Sequence, residues 1–270
     1  MKKRLPLIIC GILLLAGGLF FAVKAIMASY APRADRTEAL APTAPPAPAT
    51  TRPVETPAPT SAPAPTATPE PTATPEPYVS PVDFEALWEL NTDIYAWLEI
   101  EGTDISYPML QSREDDAFYL DHNSDKQYSA NGSIYSESAY NGTDMSDPVT
   151  ILYGHHMKSG AMFGNLQMLF SDPDFFEEDH ILRVYTPTAT LEYGVFAAVP
   201  YPGEHILYYH DFNDEAVFEK FFADILKTRD LSARFNEEYA PEPGDKVLIL
   251  STCLIGYNKN RFLVMGTLLP

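Results

Sequence analysis

Two stretches of the chain have apolar residues at helical spacing, and they predict two helices. Ser80, Pro81 and Asp83 form an N-cap, a first-turn proline and a capping-box residue, which together predict a helix start. The apolar face of this helix consists of Phe84, Leu87, Trp88 and Ile94. A longer helix is predicted to open at Asp214 and Glu215. Its buried stripe consists of Val217, Phe218, Phe221, Phe222 and Ile225.

Most of the remaining pattern after residue 80 is that of short strands. Extended, mainly apolar segments occupy residues 105–110, 148–153, 246–252 and 261–269. Asn131-Gly132 and Asn141-Gly142 are turn signals between the first two of these segments. Many short strands, one long helix and a helical N-terminal part predict a mainly β fold, either a barrel or a sandwich with added helices.

The N-terminal apolar segment predicts a membrane anchor. Residues 5–23 are uncharged and mostly apolar, and with residues 24–28 they are long enough for a bilayer-spanning helix. Lys2, Lys3 and Arg4 precede the segment, so the N-terminus is expected in the cytoplasm and the remainder outside. Residues 1–30 are therefore predicted to anchor a single-pass protein in the cell membrane, with an extracellular domain. Cleavage of a signal peptide after Ala28 is the alternative.

Residues 31–80 are dominated by Pro, Ala and Thr, and they predict a disordered stalk. Of the 25 prolines, 13 lie in residues 41–80, and residues 66–77 are a tandem repeat of Thr-Ala-Thr-Pro-Glu-Pro. Such a composition buries too little apolar surface to fold, and its prolines favour extended polyproline II. The remaining residues, 81–270, are enough for one domain with a sizeable core.

Charge is unevenly distributed along the chain, whose formal net charge is −19. Seven of the 18 Lys/Arg and five of the 37 Asp/Glu precede residue 81, so residues 81–270 keep 11 and 32, a balance of −21. A domain this acidic is not expected to bind nucleic acid, because phosphate binding needs clustered positive charge. The excess is either an ordinary soluble surface or an attraction for a cationic partner.

The two cysteines are placed too differently to form a structural pair. Cys10 lies in the apolar N-terminal segment, whereas Cys253 lies near the end of the folded domain. A lone thiol in an extracytoplasmic domain is unusual, and it indicates a free, reactive group.

Cys253 stands at the end of a predicted strand, and the next predicted strand begins at Arg261. If the two strands pair as a hairpin, Arg261 lies next to Cys253. A guanidinium in that position favours the thiolate and can hold a developing oxyanion. A buried structural thiol and a solvated arginine at a strand edge are the alternatives.

His155 and His156 follow another predicted strand, in a loop that contains Gly160. A thiol nucleophile needs a neighbouring base or cation, and a departing amine needs a proton, so one imidazole can serve both needs. Metal binding is the alternative, but adjacent residues of a strand point to opposite sides and no other ligand cluster accompanies them. The other histidines are predicted to be structural or surface groups: His122, His180, His205 and His210.

The neighbourhood of Cys253 resembles the signature of the sortase family. The segment 250–253 is Leu-Ser-Thr-Cys, similar to a strand end of the type Thr-x-Thr-Cys, and the segment 261–264 supplies the downstream arginine. Residues 153–163, 105–111 and 118–122 look like the corresponding segments of class B sortases. The resemblance covers residues 83–269.

This resemblance implies an eight-stranded sortase-type β-barrel with N-terminal helices and one long helix before a late strand. It assigns catalytic roles to His155, Cys253 and Arg261, and it makes Ser251 and Thr252 candidate substrate-binding residues. Class B members often carry Asn after the catalytic histidine. This chain has His156 there, so an exchange of roles between the two histidines stays open.

The family resemblance also implies an activity and its partners. A cysteine transpeptidase would cleave a C-terminal sorting signal of secreted proteins and transfer the acyl group to an amine of a peptidoglycan peptide or a pilin. No metal or organic cofactor is required for this reaction. The membrane would be a further partner, through residues 5–28.

Three alternatives to a sortase remain. Papain-like cell-wall cysteine hydrolases use the same residue types, but their cysteine precedes the histidine in the chain and opens a helix. The L,D-transpeptidases have a Ser-x-Gly-Cys segment that is absent around Cys253. A non-enzymatic, stalked surface-binding domain would carry an incidental, slowly reacting thiol.

Overall fold

The structure is a computed structural model, and it describes residues 40–42, 78–178 and 180–270. Its strands, in chain order, are β1 Ile94–Ile100, β2 Ser106–Leu110, β3 Ile134–Tyr135, β4 Val149–Tyr153, β5 Ile181–Tyr185, β6 Thr190–Tyr201, β7 Arg234–Phe235, β8 Val247–Leu254 and β9 Tyr257–Leu268. Its α-helices are α1 Phe84–Leu90, α2 Leu166–Ser171, α3 Pro173–Phe176, α4 Ile206–Tyr209 and α5 Glu215–Ile225. Two short 3₁₀ helices span Phe118–Leu120 and Glu237–Tyr239.

Eight of the strands close into a barrel. Their order is β5-β1-β2-β3-β4-β8-β9-β6, and pairing of β6 with β5 completes the circle, while β7 extends the sheet beside β6. Neighbouring strands are antiparallel except for the pairs β2–β3 and β4–β8, which are parallel. The predicted eight-stranded barrel, with a long helix before a late strand, is confirmed.

Alternation of side chains along the strands produces an interior core and an outer apolar face. The interior of the barrel is filled by buried residues that include Leu98, Leu152, Val184, Leu250, Phe262 and Val264. The residues between them point outward and meet helix α5, in a second cluster that includes Ile151, Ile249, Leu263, Phe218 and Phe222. Alternate residues of β8 and β9 therefore point into the barrel, and the residues between them point to the outer face.

The long helix α5 forms where its sequence predicts it. Asp214 is the N-cap, and its carboxylate accepts a hydrogen bond from the Ala216 amide at 2.9 Å. Most of the predicted stripe is buried, namely Phe218, Phe221, Phe222 and Ile225.

The N-terminal helix α1 differs from its prediction at both ends. Its cap is Asp83, which accepts from the Ala86 amide at 3.0 Å, so the predicted cap at Ser80 is wrong. Ser80 instead accepts a hydrogen bond from the Val82 amide, within the turn that leads to the helix. The helix ends at Leu90, and Ile94, predicted on its apolar face, opens strand β1.

Part of the predicted stalk contacts the folded domain. Leu40 and Ala41 pack against a third apolar cluster, which contains residues of α1 together with Trp97, Tyr135 and Tyr185. Composition alone did not predict this contact, because two apolar residues among many prolines do not form a sequence pattern. Residues 31–39 and 43–77 of the predicted stalk lie outside the described residues.

The predicted single-pass location in the cell membrane requires a correction. Across residues 40–42, 78–178 and 180–270, no helix is both long enough and apolar enough to cross a bilayer. The predicted anchor, residues 5–28 with its cytoplasmic tip, lies outside the described residues. A membrane location therefore does not enter the function proposed below.

Candidate active site

Cys253 and Arg261 are direct neighbours in a β-hairpin. Strands β8 and β9 are antiparallel, and Cys253 is the register partner of Arg261. The guanidinium Nη1 of Arg261 lies 3.9 Å from the Cys253 Sγ. The turn is tighter than its predicted seven residues, because β8 runs to Leu254 and β9 begins at Tyr257. The half-buried thiol thus faces a fixed cation at the end of the hairpin.

His155 reaches the same end of the barrel through a parallel strand pair. In the register of β4 and β8, Tyr153 lies opposite Ser251, and the Gly154 amide donates to the Ser251 carbonyl at 3.1 Å. His155 and Cys253 each stand two residues beyond that pair. The three predicted catalytic residues are therefore brought to adjacent strand ends, although His155 and Cys253 are 98 residues apart in the sequence.

The ring of His155 is held by a backbone carbonyl. Its Nε2 lies 2.8 Å from the Leu120 carbonyl oxygen, so Nε2 carries a hydrogen and donates it. The carbonyl itself is closely packed against Gly132, which has a φ of +59° and whose added Cβ would lie 2.4 Å from that oxygen. Only glycine fits there without displacing the group that orients His155.

The neighbouring His156 has a different environment. It forms an isolated β-bridge with Met162, while the His155 carbonyl accepts from the Phe163 amide at 3.1 Å. These contacts fold the segment after β4 back on itself, which leaves the two adjacent histidines in distinct settings.

Ser251 lies on the outer face of β8, together with Cys253. It is 4% exposed and lines a small cavity of about 80 Å³ with Arg261, Tyr153 and His205. The cavity adjoins the Cys253–Arg261 pair. A larger cavity of about 380 Å³ lies beside helix α4, but none of the three predicted catalytic residues lines it.

Thr252 points the other way. Its residue parity matches that of Leu248 and Leu250 in the barrel interior, and it is only 1% exposed. Its hydroxyl is buried without a hydrogen-bond partner among the described residues. The structure therefore separates the two predicted substrate-binding residues, with Ser251 at the cavity and Thr252 inside the barrel.

Replacing Thr252 by valine is expected to leave the stability unchanged or to raise it by about 1 kcal/mol, because a buried, unpaired hydroxyl costs roughly 1–3 kcal/mol. The free energy of unfolding in urea measures this change. Thr267→Val is the matched control in the paired strand, where the hydroxyl donates to the Tyr239 carbonyl at 2.6 Å. That variant is expected to lose about 1 kcal/mol. Equal losses in both variants would contradict the burial of an unpaired hydroxyl in Thr252.

Two neighbouring tyrosines and a carboxylate lie near the ends of β3 and β4, and of these Tyr153 lines the cavity. The rings of Tyr135 and Tyr153 lie 5.6 Å apart. Burial, reinforced by the Glu137 carboxylate, raises the pKa of both phenols, so both stay neutral and uncharged at physiological pH. The positive charge of Arg261 acts in the opposite direction and lowers the pKa of Tyr135.

Glu137 and His205 are residues of this region that sequence reasoning missed. The Nε2 of His205 donates to the Glu137 carboxylate at 2.7 Å, and His205 lines the cavity next to Ser251. His205 was predicted to be structural or superficial. No sequence signal joins these two residues, because they are 68 positions apart and belong to loops without a motif.

The chain is similar to known proteins over most of its described part. The model of the family described as Sortase domain matches residues 98–269. A sortase B of Listeria monocytogenes is 30% identical over 184 residues, which cover 67% of this chain and 72% of that protein. The crystal structure of sortase B from B. anthracis in complex with AAEK1 has a TM-score of 0.59 and 28% identity, over 69% of this chain and 83% of that one. A Staphylococcus aureus sortase B–substrate complex, 24% identical with a TM-score of 0.59, shows the same fold over 69% of this chain and 84% of that chain.

Proposed function

Since this chain belongs to the sortase family as a class B member, and is thus a cysteine transpeptidase of cell-wall protein anchoring or processing, we propose that Cys253, Arg261 and His155 carry out its reaction. The observation that supports these roles most strongly is the hairpin register that sets Arg261 Nη1 3.9 Å from the Cys253 Sγ. A cation beside a thiol, with an imidazole on the adjacent strand, supplies the groups that acyl transfer through a thioester needs.

The substrate proposed here is a C-terminal sorting signal of a secreted protein. The thiolate of Cys253 attacks a backbone carbonyl carbon of that signal, and the carbonyl oxygen becomes an oxyanion. Arg261 stabilises this negative charge as it develops, which is where preorganised electrostatics lower the barrier most. His155 then donates a proton to the departing amine, and the peptide bond breaks. An acyl thioester remains on Cys253.

An amine completes the reaction. The amine of a peptidoglycan peptide or of a pilin attacks the thioester carbonyl, and His155 takes up the proton that the amine loses. A new amide bond forms and Cys253 leaves as the thiolate, so each group returns to its starting state. The residues present suffice for these proton and acyl transfers.

Ser251 is proposed to contact the bound peptide, because it lines the cavity beside Arg261 on the face that carries Cys253. Thr252 remains buried in the barrel, and we assign it a packing role in the strand rather than a contact with substrate. This separation follows from the alternation of β8.

The test of the proposed function is the fate of the acyl group. The full chain is incubated with fluorogenic peptides that span sorting-motif variants, with and without an amine acceptor, and products are resolved by mass. We expect added amine to divert the product from the free acid to the amide. Cleavage that ignores the amine would indicate a cysteine hydrolase instead. Absence of any cleavage, with a thiol no more reactive than free cysteine, would indicate a binding domain.

A further inference from the structure

The cavity beside Ser251 and Arg261 has a wall that comes from a different part of the chain. Residues 203–206, which lead from β6 into the first residue of α4, form this wall, while Tyr153, Ser251 and Arg261 form the barrel side. If peptide binds at this cavity, as proposed above, its affinity depends on how far the wall stands from the barrel. The contacts that hold the wall therefore affect peptide binding, and the inference drawn from them rests on the proposed function.

His205 holds the wall with both of its ring nitrogens. Nε2 donates to the Glu137 carboxylate at 2.7 Å, and Nδ1 accepts the Tyr208 amide hydrogen at 3.1 Å, where it caps helix α4. A neutral imidazole has one donor and one acceptor, so this pair of bonds uses its whole capacity and specifies its tautomer. Through one side chain, the wall is joined to α4 and to the loop after β3.

The hydrogen bond between His205 and Glu137 is partly shielded from solvent. The side chain of Glu137 is 18% exposed and that of His205 is 35% exposed. The Tyr140 ring centroid lies 4.7 Å from that of His205, and that of Tyr153 lies 6.4 Å away. A shielded hydrogen bond to a charged group is stronger than an exposed one, because water competes less for either partner. The pair can therefore fix the position of the wall.

A second contact fixes the other end of the wall. At Gly203 the backbone approaches strand β9 so closely that an added Cβ would lie 1.8 Å from the Lys259 carbonyl oxygen. Glycine permits this approach because it has no side chain. The wall is thus held at Gly203 by close packing and at His205 by the bond to Glu137, two residues away.

We propose that His205 and Glu137 are positioning residues for peptide binding, which hold the cavity wall at its distance from Ser251 and Arg261. Neither residue contacts the Cys253 thiol or the reacting carbonyl in this role. Their loss loosens the wall and weakens binding of the peptide, while the chemistry at Cys253 keeps its rate once the peptide is bound. Such a residue changes KM and leaves kcat nearly unchanged.

The experiment compares His205→Ala, Glu137→Ala and Glu137→Gln with the wild-type full chain. The measured quantities are kcat and KM for a cleaved peptide, and the rate at which iodoacetamide alkylates Cys253. We expect KM to rise about tenfold in both alanine variants, as for a lost hydrogen bond to a charged group. Both kcat and the alkylation rate are expected to stay within about twofold, since neither depends on the wall.

A conservative replacement distinguishes the loss of the positioning contact from a general loss of stability. Glu137→Gln keeps an oxygen that accepts from His205 Nε2, so its KM is expected to rise less than that of Glu137→Ala. Glu219→Ala is the matched control, because this carboxylate lies on the exposed side of α5 and is expected to leave KM unchanged. In His205→Ala, the Tyr208 amide loses its acceptor and is expected to exchange its hydrogen faster.

The outcomes distinguish this inference from the proposed function. Unchanged KM in both alanine variants, or kcat and alkylation falling as much as kcat/KM, would overturn the positioning role alone. If Glu137→Ala is too unstable to assay, His205→Ala decides, because an unchanged KM and Tyr208 exchange rate in that variant would exclude the role. A wild-type chain that cleaves no peptide would overturn the proposed function, and this inference with it.

Discussion

Replacement of Cys253 by alanine is expected to abolish peptide cleavage and amide formation, with a loss of at least about 10⁴-fold in kcat/KM. The reaction proposed here passes through a thioester on this sulfur, and alanine offers no nucleophile in its place. Ser251 is not expected to substitute for it, because a hydroxyl is a weak nucleophile unless a neighbouring base activates it. The measurement is cleavage of a fluorogenic peptide, together with the mass of the acyl-enzyme.

The other cysteine provides a matched control. Cys10→Ala removes the other thiol of the chain, which lies outside the described residues, and it is expected to retain full activity and one site of alkylation. Because Cys253 is half-buried at the end of the hairpin, Cys253→Ala is expected to unfold at nearly the wild-type temperature. Residual turnover in folded Cys253→Ala would mean that a different residue carries the acyl group.

Replacement of His155 by alanine is expected to lower kcat/KM by about 10²–10⁴, the range for loss of a positioned general acid and base. Its imidazole is proposed to donate the proton to the leaving amine and to accept one from the attacking amine. The Leu120 carbonyl, 2.8 Å from Nε2, orients the ring for these transfers. Steady-state kinetics with peptide and amine acceptor measure the loss.

The adjacent residue is the control for this prediction. His156→Ala removes an imidazole one position away, where the backbone bridges to Met162, and kcat/KM is expected to fall by less than about threefold. If His156→Ala is the more damaging substitution, the catalytic role passes to His156. Equal, small effects of both would exclude histidine as the proton donor.

The hairpin that carries Cys253 and Arg261 was predictable because its determinants are local. Two apolar strands separated by a short connection pair with each other, and the residues flanking the connection must then be neighbours. The alternation of β8 likewise follows from the side-chain period of a strand. The long helix α5 was predictable for a similar reason, since its cap and stripe lie within twelve consecutive residues.

Contacts between segments that are far apart in the chain were not predictable, because no local sequence pattern specifies them. Nothing in the residues around Tyr153 specifies that β4 lies parallel to β8 and in register with Ser251. The chemistry of a thiol nucleophile made His155 a candidate partner of Cys253 and the family resemblance assigned it that role, but neither specified the strand register. Two parallel strands that are neighbours in a sheet are joined by a long crossover connection. Their register is therefore set by the packing of the whole barrel rather than by a turn.

The amino-acid sequence by itself therefore determined the strand ends that carry Cys253, Arg261 and His155, the long helix and the acidic domain. Tertiary structure decided that Ile94 opens β1 instead of continuing α1, that Thr252 is buried while Ser251 lines a cavity, and that Glu137 meets His205. The physical reason is the range of the interaction. Periodicity and capping act within a few residues, whereas cavities and long-range hydrogen bonds form where the barrel closes and brings remote loops together.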